Sequence, residues 1–364
     1  MRCGRMGMIR SRRACALFLA LVAACYICLN IWVDLNWQNA IYRVWYINGF
    51  PNSSEAGEIA CYYDTSHNTL EQFGPPVSPD KGIFFLETSC PSEPGIHLTP
   101  RQACAVESAA KMNPTSDVYV LFPSPVVDNI SRPAYLRELL SYPNVRLRHL
   151  PMDLYFQDSP LADWYSSGML RTSRWPRSHA SDILRYLTLW KFGGIYLDLD
   201  VVVTKSLSNL SNFAGAESDE DVAAGVLSFS SGGAGHQMAG ACVEELRTDF
   251  RGYDWGHNGP GIITKVLKST CGTENVREMT LERCEGFTVF PPHIFYPIPW
   301  RKWRLYFDSQ KSEETLHRVA HSHAIHVWNK FSTQANITVG SKQPYGVIAS
   351  KYCPKVYSHV GNIF

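Results

Sequence analysis

Two aspartates interrupt an apolar stretch of the chain. Asp198 and Asp200 stand in GGIYLDLDVVV, residues 193–203, which otherwise has the composition of a buried β-strand. Residues i and i+2 of a strand face the same side, so both carboxylates are expected side by side with Tyr196. Buried carboxylates are unfavourable unless they are paired, hydrogen-bonded or bound to a metal. The pattern therefore predicts a site for a hard divalent cation, Mg²⁺ or Mn²⁺, near the carboxyl end of this strand.

The tripeptide Asp-x-Asp is not specific by itself. A second copy, residues 219–221, lies in the acidic run AESDEDVA without apolar flanks. Such a run is typical of a solvated loop. The first copy differs because a Gly-Gly break and a helical pattern come directly before it.

That upstream segment, SDILRYLTLWKFGG, has the pattern of an amphipathic helix. Its apolar stripe consists of Ile183, Leu184, Leu187 and Trp190. Ser178 or Ser181 is expected to cap the start of the helix and Gly193 its end. Asp182 and Arg185, three residues apart, are neighbours on such a helix. Their spacing alone leaves a surface ion pair and a functional pair open.

Strands and helices alternate from Lys81 onward. Short apolar runs predict strands at residues 82–88, 117–122 and 144–150, and residues 101–111 predict a helix after the first strand. This alternation indicates a Rossmann-like α/β fold, with a mixed, mainly parallel sheet flanked by helices. The chain has 364 residues, 45% hydrophobic residues and net charge +1. That balance is globular and not basic, so no nucleic-acid partner is expected.

The N-terminal residues predict a membrane anchor. Five arginines precede an apolar run at residues 14–33, long enough to span a membrane and longer than the core of a cleaved signal peptide. A retained anchor with this charge pattern leaves residues 1–13 cytoplasmic and sends the rest into the lumen. Residues 34–80, with their Pro- and Gly-rich segments, are predicted to form a luminal stem, and residues 81–364 one large domain.

Sequons and cysteines agree with a luminal chain. The four Asn-x-Ser/Thr sequons begin at Asn52, Asn129, Asn209 and Asn336. Seven cysteines follow the span, and most should pair in an oxidising compartment, although an odd count leaves at least one unpaired. Cys271 with Cys284, and Cys90 with Cys104, are the first local pairs to consider.

The motifs together resemble a known family. SD-x-x-RY-x-x-L-x-x-x-GGIYLD-x-D resembles the DXD-containing retaining glycosyltransferases of the GT-A fold. The segments IFFLETS, C-x-VESAAK, WGHNGPG, PPHIFYPIPW and AIHVWNK are similar to those of the animal α1,4-glycosyltransferases typified by lactosylceramide 4-α-galactosyltransferase. The similarity extends from Lys81 to Cys353, with the motifs in one order.

This resemblance implies a GT-A catalytic domain in a single-pass type II Golgi membrane protein. Its activity would be transfer of galactose from UDP-galactose, with retention, to the terminal sugar of a glycosphingolipid such as lactosylceramide. It implies Mn²⁺ as cofactor, with Mg²⁺ as the alternative. The metal ligands would be Asp198 and Asp200, also the catalytic residues, with His326 of AIHVWN as the candidate third ligand. Self-association into a homo-oligomer is left open.

Further roles follow from the same resemblance. Asp182, Arg185 and Tyr196 are expected to contact the donor sugar. In WGHNGPG, stacking by Trp255 and hydrogen bonds from His257 and Asn258 would bind the acceptor, although a purely structural turn is the alternative. The aromatic run FYPIPWRKW, with Tyr296, is either core or an acceptor or membrane-facing platform.

Several alternatives stay open. Where the galactosyltransferases show Asn-Gly after the acidic loop, this chain has Ala224 and Gly225. A small Ala224 leaves room for an acetamido group, so an α1,4-N-acetylgalactosaminyl- or N-acetylglucosaminyltransferase is the alternative within the class. Outside it stand a metal-dependent phosphodiesterase and a binding protein with a dead site. HSHAIH also offers His321 and His323 for a zinc site, but without a Cys or acidic partner at a recognised spacing.

Overall fold

The computed structural model describes residues 59–64, 68–75, 77–91, 95–127 and 132–364. The predicted tail and membrane anchor, residues 1–33, lie outside these ranges, as do the sequons at Asn52 and Asn129. None of the helices in the described ranges is long and apolar enough to cross a membrane. The sequons at Asn209 and Asn336 are exposed.

The fold is built on a seven-stranded sheet and a separate two-stranded sheet. The strands are β1 (Gly82–Leu86), β2 (Asp117–Phe122), β3 (Val145–His149), β4 (Gly194–Leu197), β5 (Val201–Val203), β6 (Phe213–Ala216), β7 (Val222–Phe229), β8 (Thr288–Phe290) and β9 (Ala324–His326). The main sheet has the order β3-β2-β1-β4-β7-β6-β8, and β7 runs antiparallel to its neighbours β4 and β6. Its other pairs are parallel, and β5 pairs with β9 in the small sheet. The predicted mixed, mainly parallel α/β fold is confirmed.

Helices connect the strands. The α-helices of the described residues are α1 (Pro100–Met112), α2 (Ala134–Leu139), α3 (Met152–Phe156), α4 (Ala162–Ser166), α5 (Pro176–Phe192), α6 (Gly233–Asp249), α7 (Ile262–Cys271), α8 (Pro292–Phe295), α9 (Ser312–Val319), α10 (Asn329–Ser332), α11 (Pro344–Tyr352) and α12 (Pro354–Ser358). Short 3₁₀ turns occupy Ala60–Tyr63, Met169–Thr172, Val276–Glu278, Trp300–Tyr306 and Ser309–Lys311, and His257–Gly261 forms one π-helical turn.

Helix α5 is the helix predicted before the aspartates. Gly193 follows its last residue with φ of 65°, a conformation that favours glycine, as expected. The predicted N-cap was wrong, because the helix begins earlier, at Pro176, and both Ser178 and Ser181 lie inside it. Proline is favoured at a first helical position, where its missing N–H costs no intrahelical bond.

Both faces of the main sheet are covered. Along β1, Ile83 and Phe85 face the layer that contains α1, while Phe84 and Leu86 face the layer that contains α5, α6 and α7. A sheet buried on both faces needs apolar residues at successive positions, which explains the unbroken apolar runs of β1 and β2. Tyr62 and Phe73, before Lys81, also pack into the second layer.

The aspartates do not lie within one continuous strand, as the sequence pattern predicted. β4 ends at Leu197, and the N–H of Val201 donates to the carbonyl of Asp198 at 3.0 Å, which closes a turn before β5. β5 then leaves the main sheet to pair with β9. The alternating apolar pattern could not show this, because strands on both sides of the turn are buried. The turn changes the geometry of the site. Two carboxylates on one straight strand would lie side by side, whereas carboxylates on this turn can converge on one point.

Three disulfides close the described domain. They are Cys61–Cys90, Cys104–Cys353 and Cys271–Cys284. The predicted pair Cys271–Cys284 is confirmed, whereas Cys90–Cys104 was wrong, because each of these cysteines has a partner distant in sequence. Cys242 is buried and unpaired, as the odd count required.

Helix α1 also holds the C-terminal segment. Buried Glu107 accepts hydrogen bonds from the N–H groups of Lys355 and Val356, at 3.0 and 2.7 Å. The disulfide at Cys104 joins the same segment. VESAAK, part of the family resemblance, therefore has a structural role here.

Candidate active site

Asp198, Asp200 and His326 converge beyond the carboxyl end of β4. Nε2 of His326 lies 3.1 Å from Oδ1 of Asp200 and 3.6 Å from Oδ2 of Asp198. His326 ends β9, and its partner in β5 is Val201, the first residue after the aspartate turn. The small sheet thus places the imidazole against both carboxylates.

The segment after β9 fixes this arrangement. The N–H of Asn329 donates to Oδ2 of Asp200 at 2.8 Å, and the N–H of Val327 donates to the carbonyl of Asp200 at 3.0 Å. Nδ1 of His326 faces the N–H of Trp328 at 3.2 Å. Since Nδ1 faces the backbone, Nε2 is the nitrogen directed at the carboxylates.

The three side chains fit a divalent cation. One ligand atom from each can be chosen so that all lie within 4.8 Å of one another. A Cβ on Gly225 would come within 2.6 Å of Oδ2 of Asp198 and 3.3 Å of Cδ2 of His326, so only glycine leaves this space free. In the described part of the chain, neither His321 nor His323 belongs to a group of three metal-capable side chains, so a zinc site there has no support.

Arg185 connects α5 to the aspartate turn. Its Nη2 lies 2.9 Å from Oδ1 of Asp182 and 3.5 Å from Oδ1 of Asp198. The side chains of Asp182 and Arg185 are each 7% exposed, which excludes the surface ion pair. A buried pair is stable only when further hydrogen bonds satisfy it. Nη1 of Arg185 donates to the carbonyl of Ala224 at 3.1 Å, and Nε donates to the carbonyl of Ser181 at 3.2 Å.

A bulge in β7 presents two backbone carbonyls, those of Ala224 and Gly225, to the site. The register between β6 and β7 shifts after Ala214 and Leu227, so residues 224–226 have no partner on β6. The carbonyl of Ala224 accepts from Arg185, and that of Gly225 accepts from the N–H of Asp198 at 2.9 Å. Bulges commonly redirect backbone beside active sites.

Burial and mutual charge set the protonation of these groups. Burial raises the pKa of Asp182 to about 7, against the opposing charge of Arg185. Burial also opposes ionisation of Asp198, but Arg185, His326 and the hydroxyl of Tyr196 hold the pKa of that carboxyl below its usual range. The pKa of Asp200 is raised, chiefly by burial. Burial alone would lower the pKa of His326, but the carboxylates of Asp200 and Asp198 raise it.

Tyr196 orients Asp198. Its hydroxyl donates to Oδ1 of Asp198 at 2.6 Å and lies 3.1 Å from Oγ of Ser181. The guanidinium of Arg185 lies 4.8 Å from the ring centroid. Tyr196 is almost fully buried, so its predicted contact with the donor sugar stays a prediction.

The WGHNGPG segment packs beside Asp182. The hydroxyl of Tyr186 donates to the carbonyl of Gly259 at 2.7 Å, and a Cβ on Gly259 would come within 2.4 Å of Oδ1 of Asp182. Both amide ends of buried Asn258 bond to the backbone of Arg251. These contacts hold the loop beside Asp182.

The other two predicted acceptor residues also have partners within the protein. Nε2 of His257 lies 2.9 Å from the carbonyl of Asp249. Nζ of Lys330 lies 3.1 Å from the ring centroid of Trp255. Asn258 is enclosed in the loop, whereas Trp255 and His257 keep partly exposed rings.

Sequence reasoning missed two groups near the cluster. The sequence left open whether Tyr296 belongs to the core or to a platform. In the structure its ring centroid lies 5.5 Å from that of His326. Glu217 was taken as part of a solvated acidic loop, and the remaining predicted loop residues, 219–221, are indeed exposed. Glu217 directly follows the buried strand β6, a position that could have marked it.

Comparisons with known proteins agree with this geometry. A family model described as "Glycosyltransferase sugar-binding region containing DXD motif" matches residues 99–218, and one described as "Alpha 1,4-glycosyltransferase conserved region" matches residues 231–360. A lactosylceramide 4-alpha-galactosyltransferase from Pan troglodytes is 36% identical over 327 residues, covering 87% of this chain and 88% of the relative. This chain belongs to the α1,4-glycosyltransferase family.

Other members of the family differ in the sugar named. An alpha-1,4-N-acetylglucosaminyltransferase from Homo sapiens is 31% identical over 298 residues, covering 80% of this chain and 83% of the relative. Among solved structures, the PaToxG glycosyltransferase matches with a TM-score of 0.38 and 16% identity, covering 80% of this chain and 90% of that one. Family membership makes the protein a hexosyltransferase, and the resemblance seen in its motifs is confirmed.

Proposed function

We propose that the protein transfers galactose from UDP-galactose, with retention, to the 4-hydroxyl of the terminal sugar of a glycosphingolipid such as lactosylceramide. The observation that carries this proposal is the meeting of Asp198, Asp200 and His326 beside buried Arg185. Open α/β sheets bind ligands outside the carboxyl ends of their strands, which is where this cluster lies. The lactosylceramide 4-alpha-galactosyltransferases among the relatives support the donor and acceptor.

Asp198, Asp200 and His326 would hold Mn²⁺, with Mg²⁺ as the alternative. Carboxylate oxygens suit both ions, and the imidazole favours the transition metal. A bound divalent ion supplies Lewis-acid stabilisation of the leaving diphosphate. Arg185 holds a second positive charge 3.5 Å from Asp198, and its bonds to Asp182 and the bulge keep it in place before the reaction. Preorganised charge of this kind stabilises a developing anion with little rearrangement.

The reaction we propose is a front-face transfer, in which the leaving phosphate helps to deprotonate the acceptor hydroxyl. This route needs no protein nucleophile. The alternative donor is UDP-N-acetylgalactosamine or UDP-N-acetylglucosamine, supported by the N-acetylglucosaminyltransferase relative. Ala224, a small residue at the position where the galactosyltransferases show Asn, is the sequence feature behind this alternative.

We also propose that the protein is a single-pass type II protein of the Golgi membrane. The apolar run at residues 14–33 and the arginines before it support this topology. Three disulfides and two exposed sequons support a luminal, oxidising environment for the catalytic domain. The boundaries at residues 13, 33 and 80 remain part of this proposal.

The test is a transfer assay with the full chain. UDP-galactose, UDP-N-acetylgalactosamine, UDP-N-acetylglucosamine and UDP-glucose are each offered with lactosylceramide or a β-linked galactosyl or N-acetylgalactosaminyl acceptor, with Mn²⁺ or EDTA. Mn²⁺-dependent transfer from UDP-galactose is expected, and preference for an N-acetylhexosamine donor would select the alternative. Folded protein without turnover on any donor would contradict the proposal.

A further inference from the structure

Tyr296 carries a buried hydroxyl that no described residue binds. The residue is 2% exposed, and within the described ranges its hydroxyl has no hydrogen-bond partner. The ring is held firmly, with its centroid 5.5 Å from that of His326 and 5.8 Å from that of Trp328. An unsatisfied buried hydroxyl is unfavourable, so its retention calls for an explanation such as a ligand.

The phenol lies at the edge of the acidic cluster. A Cβ on Gly215 of β6 would come within 2.7 Å of Cε2 of Tyr296, so the ring lies directly against this strand. Burial, followed by the charges of Asp198, Glu217 and Asp200, raises the pKa of Tyr296. Because its ring packs against that of His326, the phenol lies beside the metal-capable cluster and not in the remote core.

Glu217 approaches from the same side. It follows β6 directly, two residues after Gly215. Burial raises the pKa of Glu217 to about 7, and His326 is the charge that acts on it most strongly. Glu217 and Tyr296 thus approach the metal-capable cluster from the residues that directly follow β6 and α8, whereas Asp182 and Arg185 lie on α5.

We propose that Glu217 and Tyr296 bind hydroxyl groups of the donor hexose and thereby select the sugar that is transferred. This inference rests on the proposed function, because a diphosphate held at the cluster places its hexose beside groups that border the ligands. A carboxyl group accepts hydrogen bonds from sugar hydroxyls, and a phenol both donates and accepts. A site built to bond a particular hydroxyl discriminates strongly against sugars that lack or misplace it.

Two conservative variants of the full chain test this role. Tyr296→Phe keeps the ring against His326 and Trp328, and Glu217→Gln keeps the side-chain shape. Calorimetry with Mn²⁺ compares UDP, which has no hexose, with UDP-galactose. We expect UDP affinity to stay within twofold of wild type and UDP-galactose affinity to fall roughly tenfold, the value of about one hydrogen bond. The Tm of Tyr296→Phe should not fall.

Tyr306→Phe is the matched control. Tyr306 is also buried, and no described residue bonds its hydroxyl, but the charges that act on it are those of Arg318 and Tyr345 and not those of Asp198, Asp200 or Glu217. Neither ligand should bind differently to this variant. UDP-glucose differs from UDP-galactose in the orientation of one hydroxyl. The ratio of the kcat/KM values for these two donors should change in Tyr296→Phe and Glu217→Gln but not in Tyr306→Phe.

The outcomes separate this inference from the proposed function. Wild-type transfer combined with unchanged UDP-galactose affinity and donor ratio in both variants would overturn the inference and leave the function standing. Equal loss of UDP and UDP-galactose affinity would also overturn it, because that result indicates damage to the cluster. If the wild-type protein binds no UDP and transfers no sugar, both the inference and the proposed function are contradicted.

Discussion

Nε2 of His326 lies 3.1 Å from Oδ1 of Asp200, although the two residues are far apart in sequence and belong to different elements of the fold. Asp200 lies in the turn between β4 of the main sheet and β5 of the small sheet, and His326 ends β9, which pairs with β5. A cation that binds both would link the two sheets.

Removal of His326 should abolish stabilisation by metal. A ligand that binds only the folded state raises the Tm, so Mn²⁺ should raise the Tm of wild type, and EDTA should reverse the effect. His326→Ala should show little or no Mn²⁺-dependent shift in a thermal melt. His321→Ala, on the exposed turn before β9, serves as the control and should respond as wild type does. An unchanged shift in His326→Ala would exclude this residue as a ligand.

Replacement of Arg185 by lysine should strongly reduce kcat. Arginine reaches Asp182, Asp198 and the carbonyl of Ala224 together, whereas one ammonium group cannot satisfy all three. We expect kcat to fall by roughly 100-fold or more, the scale for loss of a preorganised electrostatic contact. Arg247→Lys is the control, because Arg247 forms an exposed pair with Glu244 at the same helical spacing. Equal kcat in Arg185→Lys and wild type would refute the role.

Two glycines should not tolerate alanine. The added Cβ would meet the carboxylate of Asp182 in Gly259→Ala and that of Asp198 in Gly225→Ala. Both variants should lose most transfer activity, because the aspartates must move. Gly240→Ala is the control: its Cβ would meet only Trp190, at 3.8 Å, and alanine favours the helix by up to about 1 kcal/mol. Full activity in Gly225→Ala would show that the position of Asp198 is not critical.

His179 should make the fold sensitive to mild acid. This residue is buried, its Nδ1 lies 2.7 Å from Oγ of Ser173, and burial lowers its pKa to about 4. The unfolded chain, with an ordinary histidine pKa near 6.5, therefore takes up the proton first. The contribution of neutral His179 to stability is complete above pH 6.5 and is lost as the pH falls toward about 4, by up to roughly 1.4 kcal/mol per pH unit.

Denaturant unfolding at several pH values checks this sign. The free energy of unfolding of wild type minus that of His179→Asn should shrink between pH 6.5 and 4.5. Using the difference removes the common contribution of other groups, such as Asp182, whose raised pKa acts in the opposite direction. His317→Asn, in the last turn of α9, provides the comparison at a surface site. A difference that is constant across this pH range would contradict the prediction.

Much of the fold and the core of the site could be predicted from sequence. Unbroken apolar runs identified β1 and β2, because strands covered on both faces need apolar residues throughout, and the alternation in VRLRH identified β3. Asp198 and Asp200 were conspicuous because carboxylates are costly in such a run. The turn between them was missed, since it depends on β5 leaving the sheet for β9, a contact distant in sequence.

The remaining errors have the same physical origin. Cys104 pairs with Cys353, and sequence proximity had suggested Cys90. Glu217 looked like a loop residue because its neighbours at positions 219–221 are acidic and solvated, and only the fold brings it toward His326. Tyr296 looked like core and is core, but its ring packs against His326 and its hydroxyl has no hydrogen-bond partner among the described residues.

The most direct test of the central claim is titration of UDP into the full chain, with Mn²⁺ or with EDTA. The claim is that Asp200, with Asp198 and His326, holds a divalent ion that binds the nucleotide diphosphate. Wild type and Asp219→Ala, altered in the exposed second Asp-x-Asp, should bind UDP with Mn²⁺ and much more weakly with EDTA. Asp200→Ala should bind UDP weakly in both conditions. Equal Mn²⁺-dependent binding by Asp200→Ala and wild type would contradict the account.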